Sequence, residues 1–137
     1  MSAELPEYFF RVRDNGALVF RVNTADRSRR IEMDQIAAVN IRSGEVKPHG
    51  DRDLTAGDQA AITDWVAARR DILAARDVDD ILRSIDTLNQ TAQWAQAKAT
   101  DEELELVTDT MLLAMHDLRT ILVRKKADRT LRDRGMA

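Results

Sequence analysis

The sequence predicts an α+β protein, an N-terminal antiparallel β-hairpin or small sheet followed by an antiparallel three-helix bundle. Two observations carry this. Residues 7–48 hold all three Phe and the only Tyr in short alternating runs, whereas residues 55–137 repeat apolar residues every three or four positions. Between them, Lys47-Pro48-His49-Gly50-Asp51-Arg52-Asp53 has the Pro, Gly and Asp content of a connecting loop. The expected organisation is a β-rich part over 1–54, a helical bundle over 55–127 and a flexible tail over 128–137, together one compact unit.

The first element is a hairpin of Tyr8 to Val12 with Leu18 to Val22 around Asp14-Asn15-Gly16. A two-residue Asn15-Gly16 loop mixes apolar and charged side chains on both faces. A three-residue loop with a glycine bulge pairs Val12 with Leu18, Phe10 with Phe20 and Tyr8 with Val22, which makes one face wholly apolar. The opposite face then carries Phe9, Arg11, Arg13, Val19 and Arg21. A lone hairpin is marginal in water, so more strands or a helix must cover it. Arg30 to Met33 reads as a short strand and Asp34 to Ala38 as a helical turn. Val39 to Ile41 with Glu45 to Lys47 reads as a second hairpin around Ser43-Gly44.

Three helix starts are marked. Thr55 and Thr100 each precede an acid by three residues, Asp58 and Glu103, the spacing of a capping box. Asp77, followed by Asp79 and Asp80, resembles a third cap, and the apolar phase slips there, which predicts a break near Arg76. Helix two then repeats Val78, Ile81, Ile85, Leu88, Ala92, Ala95 and Ala99 in alternating threes and fours. Helix three continues with Leu104, Val107, Met111, Ala114, Leu118 and Ile121. Trp65, Met111 and Met115 read as core.

Composition excludes more than it assigns. The 137 residues are 44% hydrophobic and 33% charged, in the globular range. With no cysteine there is no disulfide, thiol nucleophile or Cys-ligated metal. No stretch approaches the length of a membrane span and the first residues are acidic, so a cytoplasmic protein without a membrane partner is expected. A net charge of −3 argues against a chain devoted to nucleic acid.

Catalysis has little to draw on, and a non-enzymatic role with no cofactor and no metal is the expectation. His116 lies seven residues from Asp109, about 10.5 Å along a helix, and Asp117 points to another face, so no dyad forms; His49 belongs to a turn. The acidic runs at 77–80 and 101–105 fit helix starts, where the macrodipole favours negative charge. None of the five glycines forms a phosphate loop.

Two binding surfaces remain. Six arginines between residues 11 and 30 face only two acids; Arg11, Arg13, Arg21, Arg29 and Arg30 with Phe9 would suit an anion or single-stranded nucleic acid, or else form a solvated face protecting a sheet edge. The other surface is helical. Trp94 points about 150° away from the helix-two seam at the helical period, and Leu106, Leu112, Leu113 and Val123 lie off the main face of helix three. Either the sheet covers these residues, or Trp94, Leu106, Leu113 and Val123 anchor another protein or a second copy of the chain. The favoured function is a protein-interaction adaptor or regulatory module, self-associating through helices two and three, with nucleic-acid or phosphate-ligand binding as the alternative.

Overall fold

The computed structural model describes residues 5–23 and 31–135. Four strands, β1 (Tyr8–Arg13), β2 (Gly16–Asn23), β3 (Glu32–Asn40) and β4 (Val46–Pro48), precede two helices, α1 (Ala56–Ala97) and α2 (Asp101–Asp133). The strands form one antiparallel sheet in the order β1-β2-β3-β4. The chain divides into two compact units, Met1–Ile81 and Leu82–Ala137. The class is α+β as expected, with two helices in place of three.

In the first unit the β1–β2 register departs from the expected one. The turn is the two residues Asp14 and Asn15, and the pairs are Arg13 with Gly16, Val12 with Ala17, Phe10 with Val19, Phe9 with Phe20 and Tyr8 with Arg21. Alternation then puts Tyr8, Phe10, Ala17, Val19 and Arg21 on one face, and Phe9, Arg11, Leu18 and Phe20 on the other. The wholly apolar face was not the deciding quantity. A charged residue is tolerated beside the core because α1 brings a carboxylate to it, 37 residues further along the chain. The opposite face gains a small cluster of its own, with Phe9 and Phe20 rings 6.3 Å apart and the Arg11 guanidinium 4.6 Å from the Phe20 centroid.

β3 runs unbroken through 34–38, where a helical turn is predicted. Val19 pairs with Ala37 and Phe20 with Gln35, so Ile36 is the extra residue of a bulge. The bulge lets Ile36 and Ala37 bury in succession, which a regular strand forbids, and this doublet imitates a helical pattern. β4 returns along β3 as expected, with Val39 opposite Val46. Arg70 of α1 donates twice to the Ile41 carbonyl, at 3.0 and 2.6 Å, and so holds the end of β3. The core joins Ala17, Val19, Ile36, Ala37 and Val39 to Ile62 and Val66, with Tyr8, Phe10, Val46, Leu54 and Trp65 packed around them. Trp65 stacks on Phe10 at 4.7 Å and 3°.

α1 continues through Arg76, where a break is predicted, and Asp77 is interior rather than a cap. No Pro or Gly interrupts residues 58–97, and the cost of a helical Asp is a fraction of a kcal/mol. The slip in apolar phase therefore alters which face is apolar without ending the helix. Lys98 and Ala99 both donate to the Trp94 carbonyl, at 2.9 Å, closing α1. α2 begins at the predicted capping box: Glu103 N–H donates to Thr100 Oγ1 at 3.1 Å and Thr100 N–H to Glu103 Oε1 at 3.0 Å. It runs to Asp133, so residues 128–133 are helical where a tail is expected. Polar side chains do not fray a helix that meets no breaker, and the stop is Gly135, whose φ of 69° lies in the left-handed region.

Gly16 fills a place where any Cβ would lie 1.8 Å from the Val39 carbonyl oxygen, a backbone atom that cannot yield. Gly16→Ala is expected to lower stability by about 2 kcal/mol, in the range of overpacking defects, read as a fall in the midpoint of urea unfolding; an unchanged midpoint would contradict this close approach.

Candidate functional site

Asp58 is the third residue of α1 and shares its buried stripe with Ile62, Trp65 and Val66. Its N–H donates to Thr55 Oγ1 and its Oδ2 accepts from the Thr55 N–H, both at 3.0 Å, completing the predicted capping box. Only 1% of Asp58 is exposed, so a bare carboxylate there would be costly. The sheet supplies partners. Tyr8 hydroxyl donates to Oδ1 at 2.6 Å and Arg21 Nη2 to Oδ2 at 2.6 Å. Burial alone would push the carboxyl up; the hydrogen bonds from Arg21, Tyr8 and Thr55 reverse this and hold it well below the ordinary carboxylate range. The same hydrogen bond, with burial and the negative charge beside it, pushes the Tyr8 hydroxyl up to about 12, and the carboxylate also raises Arg21. Both carboxylate oxygens are engaged, Oδ1 once and Oδ2 twice, so this buried carboxylate is a structural tie.

That tie removes Arg21 from the proposed anion surface. Arg21 shares its face with Tyr8 and Val19 and pairs with Asp58, while Arg11 belongs to the other face, one side of which it forms over Phe20. Phe9 is exposed on the Arg11 side. Arg29 and Arg30 lie outside the described residues. Of the four proposed anion-binding residues that are described, Phe9, Arg11 and Arg13 share one face of β1. His116 is exposed, and His49 sits in the turn after β4, its N–H donating to the Ile36 carbonyl at 2.8 Å. Among the described residues no three His, Asp or Glu side chains form a group that could hold a metal ion, and no helix is long and apolar enough to cross a membrane.

The second unit presents the other surface. α2 has no buried residue along its 33 positions. Leu106 is 82% exposed, Leu113 71% and Val123 52%, and Leu112, Leu118 and Leu122 are exposed with them. Met111 and Met115, predicted as core, are exposed as well. Val107, Leu118 and Ile121 of the predicted main face of α2 are exposed too. Trp94 differs from the predicted open anchor. It is half-buried, near the end of α1. Exposed apolar surface is carried by α2 and also by α1, where Val78, Ile81, Leu82, Ile85 and Leu88 are exposed.

The site residue that the sequence reading missed is Asp58. The signal was its spacing: positions 58, 62, 65 and 66 fall on one helical stripe, which places an acid among core residues and demands a partner. Compared with protein-family models, curated proteins and solved structures, the chain matches none.

Asp58→Asn keeps a cap but leaves Arg21 without a counter-charge. Because Arg21 stays 41% exposed and can be hydrated, the expected loss is about 2 kcal/mol, below that of a fully buried broken pair. The depressed Asp58 carboxyl contributes stability that is complete above its unfolded value and lost as pH falls below about 4. The variant should therefore show a flatter acid limb in urea-midpoint titrations. The raised Tyr8 hydroxyl acts on the other side, with stability complete below its ordinary value of 10.0 and lost as pH rises towards about 12. Tyr8→Phe should remove that alkaline limb; equal slopes in wild type and variant would refute the coupling.

Proposed function

We propose that the chain is a non-enzymatic protein-interaction module, an adaptor or regulatory element that docks another protein chain on the exposed apolar surface of α2. The observation that carries this reading is a 33-residue helix with no buried residue and with Leu106, Leu113 and Val123 open to solvent. Contiguous exposed apolar surface of this kind marks interaction sites in soluble proteins. Covering one such side chain is worth about 1.5 to 3 kcal/mol, while association costs several kcal/mol in lost freedom. Three side chains do little more than offset that cost, so a partner that binds stably runs along the helix and also covers neighbours such as Leu112 and Leu122. The alternative, nucleic-acid or phosphate binding through the sheet, retains Phe9, Arg11 and Arg13 as its described residues.

The two readings separate in one experiment. Full-length chain is immobilised as wild type, as Leu106→Asp with Leu113→Asp, and as Arg11→Ala with Arg13→Ala, and its capture of protein and of single-stranded RNA is measured. Helicity is checked by circular dichroism. The module reading expects protein capture to fall about tenfold in the leucine variant, equivalent to 1.4 kcal/mol, and to persist in the arginine variant. Undiminished protein capture by the leucine variant would refute it.

A further inference from the structure

The charges on α2 are divided between its ends. Residues 101–109 contain Asp101, Glu102, Glu103, Glu105 and Asp109 and no basic residue, whereas residues 119–134 contain seven Lys or Arg against Asp128 and Asp133. Between them, residues 110–118 carry Asp117 as their single Asp, Glu, Lys or Arg and are rich in Leu and Met. The helix dipole accounts for acids in the first turn and bases in the last. It does not reach Asp109 or Arg119, which lie in the interior of the helix.

A second pattern follows one of the exposed faces of α2. Leu106, Asp109, Leu113, His116, Thr120, Val123 and Ala127 recur in alternating threes and fours, the spacing of a seam between two helices. At 100° per residue they fall within an arc of about 100°. Along the same face, Val123, Lys126, Ala127, Thr130 and Leu131 line an open, mainly apolar hollow of about 470 Å³. The most exposed residue of the seam, Leu106, lies towards the other end of the helix.

We propose that the partner of α2 is a second copy of this chain, docked antiparallel about a two-fold axis near Met115. This rests on the reading of α2 as the docking surface and names its occupant. An antiparallel copy brings the acidic end of one α2 beside the basic end of the other, twice over by symmetry. With the axis near Met115, Leu106 of one copy enters the hollow beside Val123 and Ala127 of the other. Glu105 meets Lys126 on the flank, and Leu113 faces His116 close to the axis. A parallel pair would place five acids against five acids.

Molar mass is measured by light scattering on full-length chain from micromolar to millimolar loading, with helicity checked for each variant. Wild type should reach twice 15.5 kDa at high loading and dissociate on dilution and with added salt. Glu105→Lys should weaken the dimer about tenfold through its two symmetric contacts, and Glu105→Lys with Lys126→Glu should restore it. Because the chain has no cysteine, Glu105→Cys and Lys126→Cys report orientation. A mixture of the two chains should form the disulfide-linked pair under mild oxidation and neither should do so alone. Self-linking of Glu105→Cys would overturn the antiparallel arrangement, and so would a dimer that the charge exchange leaves unchanged. One-chain mass at every loading would overturn the second copy as partner, while leucine-dependent capture of another protein would leave the docking surface standing.

Discussion

The first unit depends on one buried carboxylate. Asp58 closes the N-terminal turn of α1 through Thr55 and accepts from Tyr8 on β1 and Arg21 on β2. A helix start and two strands are thereby fixed to one point. A buried ion pair adds little stability over a well-packed apolar substitute, so its value lies in what it forbids. Moving β1 by one residue along β2 would turn Tyr8 or Arg21 to the outer face and leave Asp58 charged and unpaired in the core. That penalty selects the observed register over the apolar one that local pattern favours.

Local physics made the α+β class and both capping boxes legible. Thr55 with Asp58 and Thr100 with Glu103 require only three residues of sequence, and both are present as read. The pairing of β3 with β4 also follows from short-range pattern, as does most of the connection after it, although Lys47 and Pro48 of the expected loop belong to β4. What failed depended on distant partners. Arg21 looked like a surface cation because Asp58 lies 37 residues away, and Ile36-Ala37 looked helical because a bulge buries two neighbours at once. The break near Arg76 was read from a change of apolar phase, yet phase decides what covers a helix and breakers decide where it stops.

On the functional side, the sequence singled out Leu106, Leu113 and Val123 as lying off the main helical face, and all three are exposed. It assigned Trp94 to that surface from angle alone. The tryptophan is half-buried in the structure. Arg21 lies on the face opposite Arg11 because side-chain parity in a hairpin turns on the loop length, and a difference of one residue moves it across the sheet.

The two units place their apolar residues under different constraints. The sheet and the start of α1 enclose theirs, with Val19, Ile36, Ala37 and Ile62 almost wholly buried. α2 encloses none, so its own helicity rests on the capping box, its length and same-helix contacts such as Arg129 with Asp133 at 3.8 Å. Such local terms are each worth a fraction of a kcal/mol and sustain a long helix only marginally in water. A chain that docks on α2 covers leucines that nothing else covers and favours the helical conformation that presents them. Under the proposed docking, binding and local order would be one equilibrium, with partner concentration setting the stability of α2, while Asp58 holds the sheet unit through its own contacts.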